Sequence, residues 1–300
     1  MIPINGGFKD SIKSTSGRHS DATSVTKVVS GRHYDATGVT KVVSDRRSLS
    51  EGGKSTNHPM PFQLLPILDQ MYELYQKPRD FNRFKEYLAL LMGDSRDDME
   101  LPIGNFNPMA KEHALEKLDE LRALKAEAVA AAVLTELNGR LQSGTATGFK
   151  VVLSLADDLK GGWTNRFTTD HASKFRIGPL VKRHFCTPVF WTGEDYNPDK
   201  IRTRIKEYVF RTVYRSAHPN PETLKDHIDQ EVYVAKMAGT AQIYSGREEA
   251  AAFYQANAGS DNYAVLLNFL YGDAAAAQLG YRTLGIEEDA GYQYARHLAL

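Results

Sequence analysis

A helix-rich α/β or α+β fold, with a small, mostly parallel sheet and long amphipathic helices behind a disordered N-terminal tail, is what this sequence predicts. Three observations carry that prediction. Apolar residues beyond residue 60 recur mainly at three- and four-residue steps, the helical period. Only two segments, FKVVLSL (149–155) and TPVFWT (187–192), are short, β-branched or aromatic runs bounded by turn residues. Residues 1–59 are polar and contain a direct repeat.

The repeat is SGRHSDATSVTKVV at 16–29 and SGRHYDATGVTKVV at 30–43, differing only at Ser20/Tyr34 and Ser24/Gly38. Its apolar content, mainly Val28-Val29 and Val42-Val43, is too small to offset the backbone entropy of ordering. Two copies are also too few to stack into a solenoid core. The segment is read as a disordered tail, and Met60, at the head of a strongly patterned stretch, as a plausible native start. Basic residues such as Arg18 and Arg32 make a phosphate-contacting arm the competing reading. The domain organisation is then a tail over 1–59, a helical part over 60–140, and a helix-rich part with two or more strands over 141–300. The last two are expected to pack as one body.

Each element of the body has its own signal. Leu64, Leu65, Leu68, Met71, Tyr72 and Tyr75 predict a first helix, with Pro66 in its first turn or forcing a late start. A second helix follows Pro78 and stops at Gly93. Asn107-Pro108, Asn197-Pro198 and Asn220-Pro221 each join a capping side chain to a proline suited to the first helical position. The first is expected to open one long helix over 108–138, the second an amphipathic helix with Ile201, Ile205, Tyr208, Val209, Thr212 and Val213 inward, and the third a helix ending at Gly239. Ser245 with Glu248 resembles a capping box. Asp261 or Asn262 starts a further helix that Gly272-Asp273 breaks, and a weaker helix follows Glu287. Further strands are candidates near Gln242–Tyr244 and Phe175–Ile177.

The chemistry-bearing residues sit after the two strands. Asp157-Asp158 follows the first and Glu194-Asp195 the second. If the strands are parallel neighbours, both acidic pairs reach the same sheet edge, where open α/β sheets bind their ligands. Asp157, Asp158, Glu194 and Asp195, with His171, are the candidate catalytic residues; Asp157, Asp158 and Glu194 are candidate ligands for Mg²⁺ or Mn²⁺. Gly161-Gly162 would let backbone approach a substrate. Trp163 offers a stacking face, Asn165 an amide and Arg166 a guanidinium fork. The competing reading makes the aspartates turn and cap residues. His184 and Cys186 form a candidate thiolate pair, and His227 and Glu231 a helical metal pair, each more simply read as packing and surface residues. His113 is read as a surface residue.

Composition narrows the function. The chain is neutral overall, with 37 basic and 37 acidic residues, and residues 60–300 carry a net −4. That opposes nucleic-acid binding, although Lys200, Arg202, Arg204, Lys206, Arg211 and Arg215 give one helix a basic side. No apolar run is long enough to span a membrane, and there is no secretory h-region. The single cysteine permits no internal disulfide, which fits a cytoplasmic protein. GxGxxG, Walker-type, GxSxG, HExxH and CxxC motifs are absent. The expected function is an enzyme acting on a small anionic substrate by hydrolysis or another non-redox group transfer. The alternatives are a non-catalytic helical interaction protein, whose long helix at 108–138 and Tyr/Phe-bearing helices would form a dimer or partner surface, and a nucleic-acid binder.

Overall fold

Phe62–Leu64 forms a strand (β1), where the sequence predicted the start of a helix. In this computed structural model, which describes residues 62–93, 98–141, 148–159 and 164–300, Pro66 delays the first helix to Leu68–Gln76 (α1). The side chain of Asn138 pairs with both the N–H and the C=O of Phe62 (3.1 and 2.8 Å), as a neighbouring strand would. Phe62 also stacks on Phe149, its parallel partner in register. The chain continues through α2 (Phe81–Met92), α3 (Glu112–Ala123), α4 (Ala126–Arg140), β2 (Phe149–Val151), β3 (Ser154–Ala156), α5 (Arg166–Phe175), α6 (Gly178–Lys182), β4 (Phe185–Cys186) and β5 (Val189–Trp191). Five helices follow: α7 (Pro198–Ala217), α8 (Leu224–Ala238), α9 (Arg247–Asn257), α10 (Tyr263–Gln278) and α11 (Ala290–Leu298). The tail expected to be disordered, its repeat, Met60, and Gly161, Gly162 and Trp163 lie outside the described residues.

The fold is a helix-rich α/β arrangement whose strands pair in parallel: β1-β2-β4 in one ladder and β3-β5 in the other. Both ladders run along the same two segments. Lys150 N–H donates to His184 C=O, Val152 to Cys186 and Ser154 to Pro188 (2.8–3.0 Å). Pro188 has no N–H to donate, so the regular pairing breaks there and resumes at Val189. Neither Gln242–Tyr244 nor Phe175–Ile177 is a strand.

Several helix boundaries differ from expectation for local reasons. The long helix expected over 108–138 is two helices, broken at Lys125, whose φ is +52°. The break lets Glu127 accept the N–H groups of Ile67 and Leu68 (2.7 and 3.0 Å), capping α1. Two shorter helices thus stand where a single long one was expected. Asn107 makes a turn with Met109 instead of starting a helix, and α3 begins at Glu112. Asn220 receives a hydrogen bond from Arg215, and Thr223 with Asp226 forms the capping box of α8. Gly246, not Ser245, precedes α9, without a side-chain cap. Asn197 caps α7, Asn262 caps α10, and Gly272 (φ +82°) breaks α10 as expected.

Two apolar cores result. One surrounds the sheet with α1, α3, α4 and α7 and includes Phe190, Trp191, Ile201 and Ile205. The other lies among α8, α9, α10 and α11 around Phe269, Leu270 and Tyr294. Among the described residues, no helix is long and apolar enough to cross a membrane.

Candidate functional site

Because β3 and β5 are parallel neighbours, Asp157-Asp158 and Glu194 emerge at one sheet edge. What they meet there is a guanidinium. Asn165 caps α5 by accepting from Phe167 and Thr168 N–H (both 3.1 Å), which fixes Arg166 at the first helical position. Arg166 then reaches Asp158 with Nη1 (2.9 Å) and Glu194 with Nη2 (2.5 Å), its guanidinium lying 4.3 Å from the Trp191 ring centre. Glu194 also accepts from Arg204 Nη2 (2.7 Å) and the Tyr196 hydroxyl (2.9 Å), with Lys200 Nζ at 3.6 Å. Burial opposes ionisation of Glu194, but Arg204 and Arg166 prevail and hold its pKa down at about 2.

The other expected residues separate from this group. Asp157 is buried, with His113 Nε2 at 2.9 Å and the Thr192 hydroxyl at 2.9 Å. His113 is thus a partner of the sheet edge, not a surface residue. Asp195 is exposed, and its carbonyl accepts from Lys200. Asn165 is a helix cap, and Trp163 lies outside the described residues. His171 faces the second core, packed against Phe175, His227 and Tyr263, where burial and His227 lower its pKa to about 3. It is neutral there and does not join the carboxylates. Cys186 is buried, and burial raises its thiol to about 12, which removes the thiolate reading. Glu231 pairs with Arg211, and His227 Nδ1 lies against Thr223 C=O (2.7 Å), so neither serves as a free metal ligand.

The carboxylates do not make a cage for Mg²⁺ or Mn²⁺. A hard cation needs several converging oxygens, whereas Arg166 occupies the space between Asp158 and Glu194. Among the described residues, no group of three or more His, Cys, Asp or Glu side chains is arranged to hold a metal.

Beyond Arg166 the structure encloses a cavity of 210 Å³ where the two cores meet. It is bounded by α5, β5, α7, α10 and the turn into α11. Ten charged side chains line it. The cations are Arg166, Lys174, Arg204, Arg211 and Arg296; the acids are Asp170, Glu194, Glu207, Glu288 and Asp289. Buried ion pairs return little net stability after desolvation, so packing alone gives no reason for this concentration of charge.

Its floor is Arg211, only 2% exposed. Arg211 forks onto Glu231 through Nε (2.9 Å) and Nη2 (2.6 Å), while its buried Nη1 has no hydrogen-bond partner. One wall is a relay in which Tyr292 donates to Tyr271 (3.0 Å) and Tyr271 to Asp170 (2.9 Å). Burial resists ionisation of Asp170, but Lys174, at 2.6 Å, and Arg166 keep it below the usual carboxylate range. Burial holds both phenols neutral. Of this lining, sequence reasoning reached only Arg166 and Glu194 as site residues, because the rest comes from five separate segments. The readable sign was Arg166, Asp170 and Lys174 at four-residue spacing, one charged face of a helix.

A larger cavity of 400 Å³ lies across α5, lined by residues such as Thr168, Ala172, Thr187 and Val189 and by no titratable side chain. It lacks groups for acid–base chemistry, and the charged cavity is the stronger candidate. No protein-family model, curated protein or solved structure matches this chain.

Proposed function

We propose that this chain is a cytoplasmic enzyme that takes a small molecule by an anionic group into the charged cavity and carries out hydrolysis or another non-redox group transfer. One observation carries the reading: a 98% buried guanidinium whose Nη1 is left without a partner at the floor of a polar cavity. An unsatisfied buried N–H costs on the order of 1–3 kcal/mol, and a carboxylate or phosphate oxygen would satisfy it. The site's small volume, below the roughly 300–1,000 Å³ of drug-sized pockets, suits a small metabolite. Glu194 serves as a counter-ion rather than as a base, since Arg204 and Arg166 hold its pKa at about 2, too low for it to take up a proton near neutral pH. Tyr271 and Tyr292, held neutral by burial, can hydrogen-bond the polar groups of the ligand.

Calorimetric titration with short-chain carboxylates and with inorganic phosphate tests the binding half. Saturable binding is expected for one of these classes. It should be lost in the paired variant Arg211→Met/Glu231→Leu, which removes the buried ion pair and keeps apolar volume. No binding of either class, or binding indifferent to that variant, overturns the reading. Turnover of a panel of carboxylate-bearing esters and amides by the unmodified chain, absent in the paired variant, tests the catalytic half.

A further inference from the structure

We infer that the ligand of this cavity is a small zwitterion of the amino-acid type, its ammonium group received by Asp289 and Glu288. This rests on the cavity reading above and adds the second charge. The lining is balanced, five cations against five acids, so it is not a field for a purely anionic guest.

Internal pairing accounts for nearly all of that charge. Arg166 and Arg204 share Glu194; Lys174 holds Asp170; Arg211 holds Glu231 and Glu207; Arg296 reaches Glu207 at 3.3 Å. Three groups remain. Arg211 Nη1 is an unused donor on the buried floor. The carboxylates of Glu288 and Asp289 line the same space from exposed positions at its rim, and neither makes a hydrogen bond or ion pair among the described residues. A donor below and two acceptors above match a molecule with a carboxylate at one end and an ammonium at the other.

The acceptors are held in place. Asp273 accepts the N–H groups of Leu284, Gly285 and Ile286 (2.9–3.2 Å), and its own N–H donates to Ile286 C=O (3.0 Å). Gly272 lets the backbone of 287–288 approach so closely that a Cβ would sit 2.8 Å from it. Although Asp289 is exposed on its outer side, the protein packed around its inner side, with Glu288 and Asp170, raises its pKa against the pull of Lys174 and Arg296. A ligand ammonium beside it would favour the ionised carboxylate.

The test uses the full chain and the ω-amino acids from glycine to 6-aminohexanoate, each titrated beside the carboxylate and the amine of matching length. One amino acid should bind at least about tenfold tighter, ~1.4 kcal/mol, than either single-headed partner. Asp289→Asn, which keeps shape and suits a left-handed backbone, should abolish that advantage and leave carboxylate binding unchanged. A carboxylate that binds as well as its amino acid, or an advantage intact in Asp289→Asn, overturns the zwitterion and leaves the cavity reading standing. Absence of binding by every probe, the carboxylates included, removes both.

Discussion

Replacing Glu194 by Gln should destabilise the protein strongly, and the size follows from its surroundings. The carboxylate lies between Arg166 Nη2 (2.5 Å) and Arg204 Nη2 (2.7 Å) and is only 17% exposed. Gln keeps the volume and one acceptor oxygen but leaves two arginines short of their shared counter-charge. Lowering a carboxyl pKa from 4.5 to about 2 corresponds to ~3 kcal/mol, at about 1.4 kcal/mol per tenfold change in ionisation constant. Removing one partner of a buried pair typically costs about 3–5 kcal/mol, so the two routes agree. At roughly 2–4 °C per kcal/mol for a body of this size, the melting temperature should fall by about 6–12 °C. Urea unfolding followed by the fluorescence of Trp191, against which Arg166 lies, is the assay. The pH dependence supplies the control. A depressed folded pKa means that the stabilisation is complete above 4.5 and is lost as pH falls toward about 2. The gap between wild type and Glu194→Gln should close over that interval. A gap under ~1 kcal/mol, the worth of an exposed ion pair, or one that does not change with acidity, would refute the reasoning.

Three further outcomes are expected. Arg211→Met alone should cost about 3–5 kcal/mol in urea unfolding by leaving Glu231 charged and buried, and adding Glu231→Leu should restore most of it. Gly272→Ala should destabilise by more than ~1 kcal/mol, because φ is +82° and the new Cβ would press on the Glu287 carbonyl; calorimetry on the purified variant checks this. Asp289→Asn should raise the melting temperature at neutral pH. Its folded pKa is raised chiefly by desolvation, with Glu288 and Asp170 adding to it and Lys174 and Arg296 opposing, so ionisation is disfavoured in the folded state. The gain should vanish below the ordinary 3.8, where the acid is protonated in both states, and melting curves across that range measure it.

Local signals were legible where the physics is local. Asn197-Pro198 and Asn262 cap the helices they were expected to cap, and Gly93, Gly239 and Gly272 take positive φ where helices stop or break. The parallel neighbourhood of 149–155 and 187–192 was conditional in the sequence, and the ladders supply it. The β1 strand was hidden because its partners, Phe149 and the Asn138 amide, lie far along the chain while its own apolar spacing mimics a helix. The break at Lys125 was hidden for a similar reason, since Glu127 is drawn to α1 by tertiary contact. The acidic pairs were visible, but not the arginines that neutralise them. Arg204 and Arg211 looked like one side of a solvated basic helix. Only the packing of α7 against the sheet and α8 turns Arg211 inward.

The clasp between Gly272-Asp273 and the backbone of 284–288 separates two jobs within one short stretch of chain. Residues 279–283 are tied separately to α10: Tyr281 N–H donates to Ala276 C=O (2.9 Å) and Asn268 to Arg282 C=O (3.0 Å). Exchanging Glu288 or Asp289 would then alter what the mouth accepts without disturbing the floor, whose arginine is tied to a different helix.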